Sequence, residues 1–133
     1  MRGFILVFGV GMGAALIMAV LWFAVPDNNV EVATAGDAVT VLEDGSQLIT
    51  IMARGGYSPR QVTAKAGVET TLRMKTNGTY DCSSSLVIPS LNYETFLPPT
   101  GERDIQISAS KANGTLDGLC SMGMYSFRIS FVN

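Results

Sequence analysis

Histidine is absent from this chain of 133 residues. Its absence removes the side chain that most often binds metals in proteins and that usually serves as the base in nucleophilic catalysis. Most ordinary zinc, Cu(II) and non-haem iron sites are thereby excluded. The sequence also lacks a glycine-rich phosphate-binding loop and a paired-carboxylate arrangement, so we do not expect an enzyme.

Charge and cysteine are scarce as well. Nine Lys and Arg stand against eleven Asp and Glu, which gives a formal net charge of -2 and no basic patch for nucleic acid. The chain has two cysteines, Cys82 and Cys120, which lie far apart in the sequence. A Cys-x-x-Cys redox motif is therefore missing.

A long apolar run is present at the N-terminal end. Residues 3–25 carry no charge and are numerous enough to cross a bilayer core of about 30 Å as a helix. Arg2 precedes the run, while Asp27 and Glu31 follow it. Because positive residues favour the cytoplasmic side, we predict an N-terminal end in the cytoplasm and a C-terminal part outside it.

This pattern divides the chain into three predicted parts. Residues 1–25 form a transmembrane anchor in the cell membrane, residues 26–36 form a small, polar linker with helix-breaking residues, and residues 37–133 form the extracytoplasmic domain. A cleaved signal peptide is the alternative, with Ala33-Thr34-Ala35 as a small-residue cleavage site. Both interpretations deliver the domain to the same compartment.

The domain shows a period-two alternation of apolar and polar residues, which is typical of β-strands. Over residues 68–76, for example, Leu72 and Met74 share one face while Arg73 and Lys75 take the other. The same reasoning predicts strands at 38–42, 47–53, 61–65, 68–76, 84–88, 104–109 and 125–131. About seven or eight short strands without a helical segment predict an all-β fold, namely a Greek-key β-sandwich. We expect Met52 and Met74 in its core.

Four sulfur side chains are the candidate chemistry of the domain. Cys120-Ser121-Met122-Gly123-Met124 holds three of them within five residues, and Cys82 adds the fourth. Thiolate and thioether donors together select Cu(I) over harder metals. Glycine weakens the interior of a strand, so Gly123 between the methionines favours a loop around a centre rather than core packing.

A disulfide is the alternative interpretation of the two cysteines, since thiols outside the cytoplasm often pair. A Cys82–Cys120 bridge would close a loop of about 38 residues and would stabilise the fold by roughly 4 kcal/mol. Met122 and Met124 would then be apolar filler. In that case the domain would be a structural or interaction module without metal.

The chain resembles the cupredoxins, and in particular the small membrane-anchored bacterial cupredoxin-like copper-binding domains. The resemblance rests on Gly55-Gly56-Tyr57-Ser58-Pro59, on residues 62–67, on the turn at Asn77 and on the late Cys-Ser-Met-Gly-Met before the last strand. It covers about residues 47–133 and implies a Greek-key β-sandwich of cupredoxin type, preceded here by the transmembrane helix.

Cupredoxins hold copper with one upstream histidine and a late loop that supplies cysteine, histidine and methionine. In this sequence Cys120 matches the loop thiolate, Met124 (or Met122) matches the thioether, and Cys82 stands where the upstream histidine is expected. The second histidine has no counterpart unless Met122 replaces it. Because sulfur replaces both imidazoles, the resemblance implies Cu(I) binding, delivery or export rather than rapid electron transfer. The implied partners are the copper ion and a membrane copper transporter or oxidase.

Overall fold

The computed structural model describes residues 37–133, which form ten β-strands and two single turns of 3₁₀-helix. The strands are β1 (Val39–Val41), β2 (Gln47–Ala53), β3 (Tyr57–Ser58), β4 (Gln61–Lys65), β5 (Thr70–Thr76), β6 (Ser85–Ile88), β7 (Tyr93–Phe96), β8 (Gly101–Ile107), β9 (Gly114–Leu119) and β10 (Ser126–Val132). The helical turns are Cys82–Ser84 and Pro89–Leu91. The all-β prediction is confirmed for these residues.

The predicted transmembrane helix lies outside the described residues, as does the predicted linker. Within residues 37–133, no helix has the length and apolar character needed to cross a membrane.

The strands form two five-stranded sheets that pack as a β-sandwich. The first sheet has the order β1-β2-β5-β8, with β3 paired to the end of β2, and the second has the order β4-β10-β9-β6-β7. Two pairs, β2 with β5 and β4 with β10, are parallel, while the other pairs are antiparallel. The predicted β-sandwich is therefore confirmed, and its sheets contain both parallel and antiparallel pairs.

The core lies between the sheets and follows the period-two alternation. In β5, Leu72 and Met74 are fully buried, whereas the flanking Arg73 and Lys75 are half-buried on the outer face. The prediction for Met52 is wrong, because this side chain is 38% exposed on β2. The alternation places Ile51 inside, so its neighbour Met52 points to the outer face.

Three strands, β3, β7 and β9, were not expected from the sequence. β9 contains Gly114 and Gly118, and glycine normally argues against a strand interior. Gly118 occupies the interior of β9 because it packs closely against Phe127, the residue opposite it on β10. A Cβ atom at Gly118 would lie 2.1 Å from Cζ of Phe127, so the buried ring occupies the space of a side chain.

Candidate metal centre

The sheet topology brings the two cysteines to one end of the sandwich. Cys82 begins the helical turn directly before β6, and Cys120 directly follows β9. Because β6 and β9 are antiparallel neighbours, the start of β6 and the end of β9 lie at the same end of the sheet. The pairing of β6 with β9 thus places Cys82 and Cys120, which are distant in sequence, close together.

A pair of serines joins the two sulfur-bearing segments. The hydroxyl groups of Ser85 and Ser121 are 2.8 Å apart, and the backbone N–H of Ser121 donates to Oγ of Ser85 at 3.0 Å. Oγ of Ser85 also lies 3.4 Å from the carbonyl oxygen of Cys82. Since Ser85 is buried, these bonds fix the loop after β9 against the turn that carries Cys82.

The loop between β9 and β10 wraps around the sulfur of Cys120. The backbone N–H of Tyr125 donates to Sγ of Cys120 at 3.4 Å, and N–H of Gly123 donates to the carbonyl of Cys120 at 2.8 Å. Gly123 has a φ of 71°, a left-handed conformation that glycine adopts without a steric penalty. The glycine therefore allows the tight turn that aims backbone N–H groups at the thiol.

Both cysteines are free thiols, and they hydrogen-bond to each other. Cys120 is fully buried and Cys82 is half-buried. The hydrogen bond to Cys120 raises the pKa of Cys82, and burial raises it further. Burial opposes ionisation of Cys120, but hydrogen bonds from Cys82 and from the loop backbone outweigh it, so the pKa of Cys120 lies below its usual value. Cys120 is therefore the thiol that ionises first.

Asp81 and Tyr57 shape the surroundings of the thiols. The Asp81 carboxylate caps the turn by accepting from N–H of Ser83 at 2.7 Å, and it accepts from N–H of Gly55 at 2.9 Å. Its negative charge contributes to the raised pKa of Cys82. The ring of Tyr57 is buried, and its hydroxyl donates to the carbonyl of Ser85 at 3.2 Å. Burial, followed by the nearby Cys120, raises the pKa of Tyr57.

The two methionines lie at the rim of this centre. Met122 is 78% exposed and Met124 is 65% exposed, while the backbone N–H groups of both residues hydrogen-bond to Cys120. Among residues 37–133, no three His, Cys, Asp or Glu side chains are grouped so that they could hold a metal ion. Sulfur ligands beyond the two thiolates would therefore come from the thioethers of Met122 and Met124. This donor set suits Cu(I) and is poor for zinc.

The structure thus brings Cys82 and Cys120 together and sets the loop of Met122 and Met124 beside them. Sequence reasoning missed the Ser85–Ser121 link, because a serine pair from two distant segments has no local signal. The capping role of Asp81 had such a signal, since an Asp followed by serines is typical of a turn in which the side chain accepts from nearby N–H groups.

Comparisons with known proteins agree with this architecture. The family model of the cupredoxin-like domain matches residues 13–132. No curated protein sequence matches the chain significantly.

Two solved structures share the fold. One is the metal-binding domain of the Cu(I)-exporting P-type ATPase of Streptococcus pneumoniae D39, solved with Cu(I), at 20% identity and a TM-score of 0.60 over 69% of this chain and 91% of that one. The other is a copper-binding protein in its apo form, at 22% identity and a TM-score of 0.64 over 74% of this chain and 100% of that one. At these identities the likeness establishes the fold.

Proposed function

Since the chain belongs to the cupredoxin-like domain family, we propose that it binds and handles Cu(I) as cargo, with Cys82 and Cys120 as thiolate ligands and Met124 and Met122 as thioether ligands. The observation that carries this proposal is the pair of adjacent free thiols at one end of the sandwich. Two solved structures with the same fold, a Cu(I) exporter domain and a copper-binding protein, support copper as the metal.

The ligand set favours copper binding, delivery or export over electron transfer and over enzyme catalysis. A blue-copper centre uses two imidazoles and one thiolate, and this chain has no histidine. Thiolates and thioethers stabilise Cu(I) and disfavour Cu(II), so repeated one-electron cycling would be slow. We further propose that the domain lies outside the cytoplasm, held at the cell membrane by residues 1–25 and next to a membrane copper transporter or oxidase.

The first test is a free-thiol titration of the full chain, purified without reductant in an uncharged detergent, together with Cu(I) competition against a chromophoric chelator after reduction. We expect two free thiols and tight uptake of Cu(I). No free thiols, combined with no tight uptake even after reduction, would instead establish the disulfide-stapled module without metal. An oxidised protein that binds Cu(I) once reduced would support copper handling with the thiol redox state as its switch.

Met124→Leu is expected to weaken Cu(I) binding by roughly 10-fold, or about 1.4 kcal/mol, because leucine keeps the apolar volume but removes the soft donor. The thermal unfolding temperature should not change, since Met124 is largely exposed. The measurement is the same Cu(I) competition. Met52→Leu, an exposed methionine on β2, is the matched control and should bind as the unmodified chain does. Equal affinities for Met124→Leu and the control would remove Met124 from the ligand set.

A further inference from the structure

A cleft with two arginines in its wall opens beside Met124. It has a volume of about 410 Å³, and its lining includes Arg54, Arg60, Met124 and Tyr125. One side of the cleft is the glycine turn between β2 and β3, where Gly56 lies against the ring of Tyr125. The volume falls within the range of pockets that take small ligands.

The positive charge of this cleft is not neutralised within the domain. The ion pairs found in residues 37–133 engage Arg73, Lys75 and Arg128, and neither Arg54 nor Arg60 takes part in one. Arg128 donates its backbone N–H to the carbonyl of Arg60, but its guanidinium is held by Asp117 at 2.7 and 3.2 Å. Arg54 and Arg60 are therefore available to an anionic ligand.

Two carboxylates lie near this wall, Asp117 close to Arg60 and Asp81 beside Gly55, and neither forms an ion pair with Arg54 or Arg60. Asp81 accepts from the backbone N–H of Gly55, the residue after Arg54. Its other oxygen accepts from Ser83, through both the backbone N–H and the hydroxyl. These bonds engage both oxygens of the carboxylate, and it forms no ion pair with Arg54 or Arg60.

We infer that this cleft receives an anionic Cu(I) complex whose ligands carry carboxylates, and that copper enters the centre from it. Guanidinium groups recognise carboxylates through paired N–H donors, and Arg54 and Arg60 supply two such groups. Met124, a proposed copper ligand, lines the same cleft, so a complex held by the arginines presents its metal to a thioether of the centre. The inference rests on the proposed function and names the class of copper donor.

The transfer is a ligand exchange without electron transfer. For a carrier built from carboxylate-bearing thiols, the bonds between Cu(I) and two carrier thiolates break, and bonds to Sγ of Cys82 and Cys120 form. The two protons of Cys82 and Cys120 pass to the departing carrier thiolates. Copper remains Cu(I) throughout, and no oxidant or reductant is consumed.

The test compares two coloured copper donors of opposite charge. Cu(I) bis(bicinchoninate) is negatively charged because its ligands carry carboxylates, and Cu(I) bis(neocuproine) is positively charged because its ligand is neutral. Loss of visible absorption gives the initial rate of transfer to the reduced full chain in an uncharged detergent. For Arg54→Gln/Arg60→Gln we expect transfer from the bicinchoninate complex to slow roughly 5- to 10-fold at low ionic strength, at the lower end of electrostatic steering.

Transfer from the neocuproine complex to the same variant should be unchanged or faster. At high salt, the variant and the unmodified chain should take copper from the anionic donor at the same rate. Salt screens the arginine charges, because the Debye length falls to about 3 Å at 1 M. The equilibrium affinity for Cu(I) and the unfolding temperature should both be retained. Arg103→Gln/Lys111→Gln is the matched control, since it removes the same charge at exposed positions outside the cleft.

The outcomes separate this inference from the proposed function. Equal slowing in the control variant would show an effect of overall charge and would overturn the cleft as the entry site. Unchanged transfer from the anionic donor in Arg54→Gln/Arg60→Gln would overturn it as well, while Cu(I) binding would stand. Absence of Cu(I) uptake by the unmodified chain from both donors would overturn the proposed function itself.

Discussion

Cys120→Ser is expected to lower the affinity of the reduced chain for Cu(I) by roughly 1,000-fold, or about 4 kcal/mol. Cys120 is the fully buried thiol around which the loop between β9 and β10 folds, and it is the thiol that ionises first. Serine keeps the shape of the side chain but replaces a soft thiolate by a hard, neutral hydroxyl, which is a poor ligand for Cu(I). Competition with a chromophoric chelator under anaerobic conditions measures the loss.

The fold should tolerate this change at a small cost. The serine hydroxyl can accept the hydrogen bond that Sγ of Cys120 receives from N–H of Tyr125, so no buried donor loses its partner. We expect the free energy of unfolding under reducing conditions to fall by about 1 kcal/mol. A variant that still binds one Cu(I) tightly would contradict the proposed centre.

The same variant distinguishes copper binding from the disulfide alternative. If Cys82 and Cys120 form a structural bridge, Cys120→Ser should cost about 4 kcal/mol of stability without reductant and little with it. If they form a metal centre, the stability cost should be the same in both conditions in the absence of copper. Cys82→Ser serves as the matched partner, because either mechanism predicts the same pattern for it.

Gly118→Ala is expected to destabilise the domain by about 3 kcal/mol, at the upper end of the usual cost of overpacking. The added methyl group would lie 2.1 Å from Cζ of Phe127 and 2.3 Å from Cε1. The ring cannot move freely, because it is buried and packs edge-on against Tyr57 with centroids 5.1 Å apart. In thermal unfolding, a loss of this size should lower the midpoint by roughly 15 °C for a domain of this length.

A double-variant cycle identifies the cause of that loss. In a Phe127→Leu background the ring is absent, so adding Gly118→Ala should cost less than about 1 kcal/mol. An undiminished cost in that background would show that the alanine acts on the backbone of β9 and not on the ring. The clash also bears on the metal centre, since Gly118 lies in β9 two residues before Cys120, which directly follows that strand.

The domain's secondary structure was largely predictable because the signal is local. β2 and β4 match their predicted bounds, and β5 starts two residues later than predicted, at Thr70. These strands alternate between a buried and an outer face, so a few neighbouring residues suffice to identify them. β7 and β9 were not predicted. β7 is a short strand at the edge of its sheet, and β9 contains Gly118, which is explained only by its packing against Phe127 of β10.

The sequence by itself determined which chemistry the centre can perform. A chain without histidine that carries two cysteines and a Met-Gly-Met segment offers thiolate and thioether sulfur at these positions and no imidazole, whatever its fold. The class of fold also follows from the sequence, because alternation depends on residues close together along the chain. The membrane anchor over residues 1–25 stays a prediction from hydropathy and flanking charge.

Only the tertiary structure decided which of these donors meet, and what surrounds them. Cys82 and Cys120 become neighbours because β6 and β9 pair, and Arg54 reaches the cleft beside Met124 because the β2–β3 turn folds against the last loop. Such contacts join residues far apart in the chain, and they form because burying two apolar faces selects one arrangement of the sheets. A pattern of neighbouring residues does not predict this arrangement, since it depends on the packing of the whole sandwich.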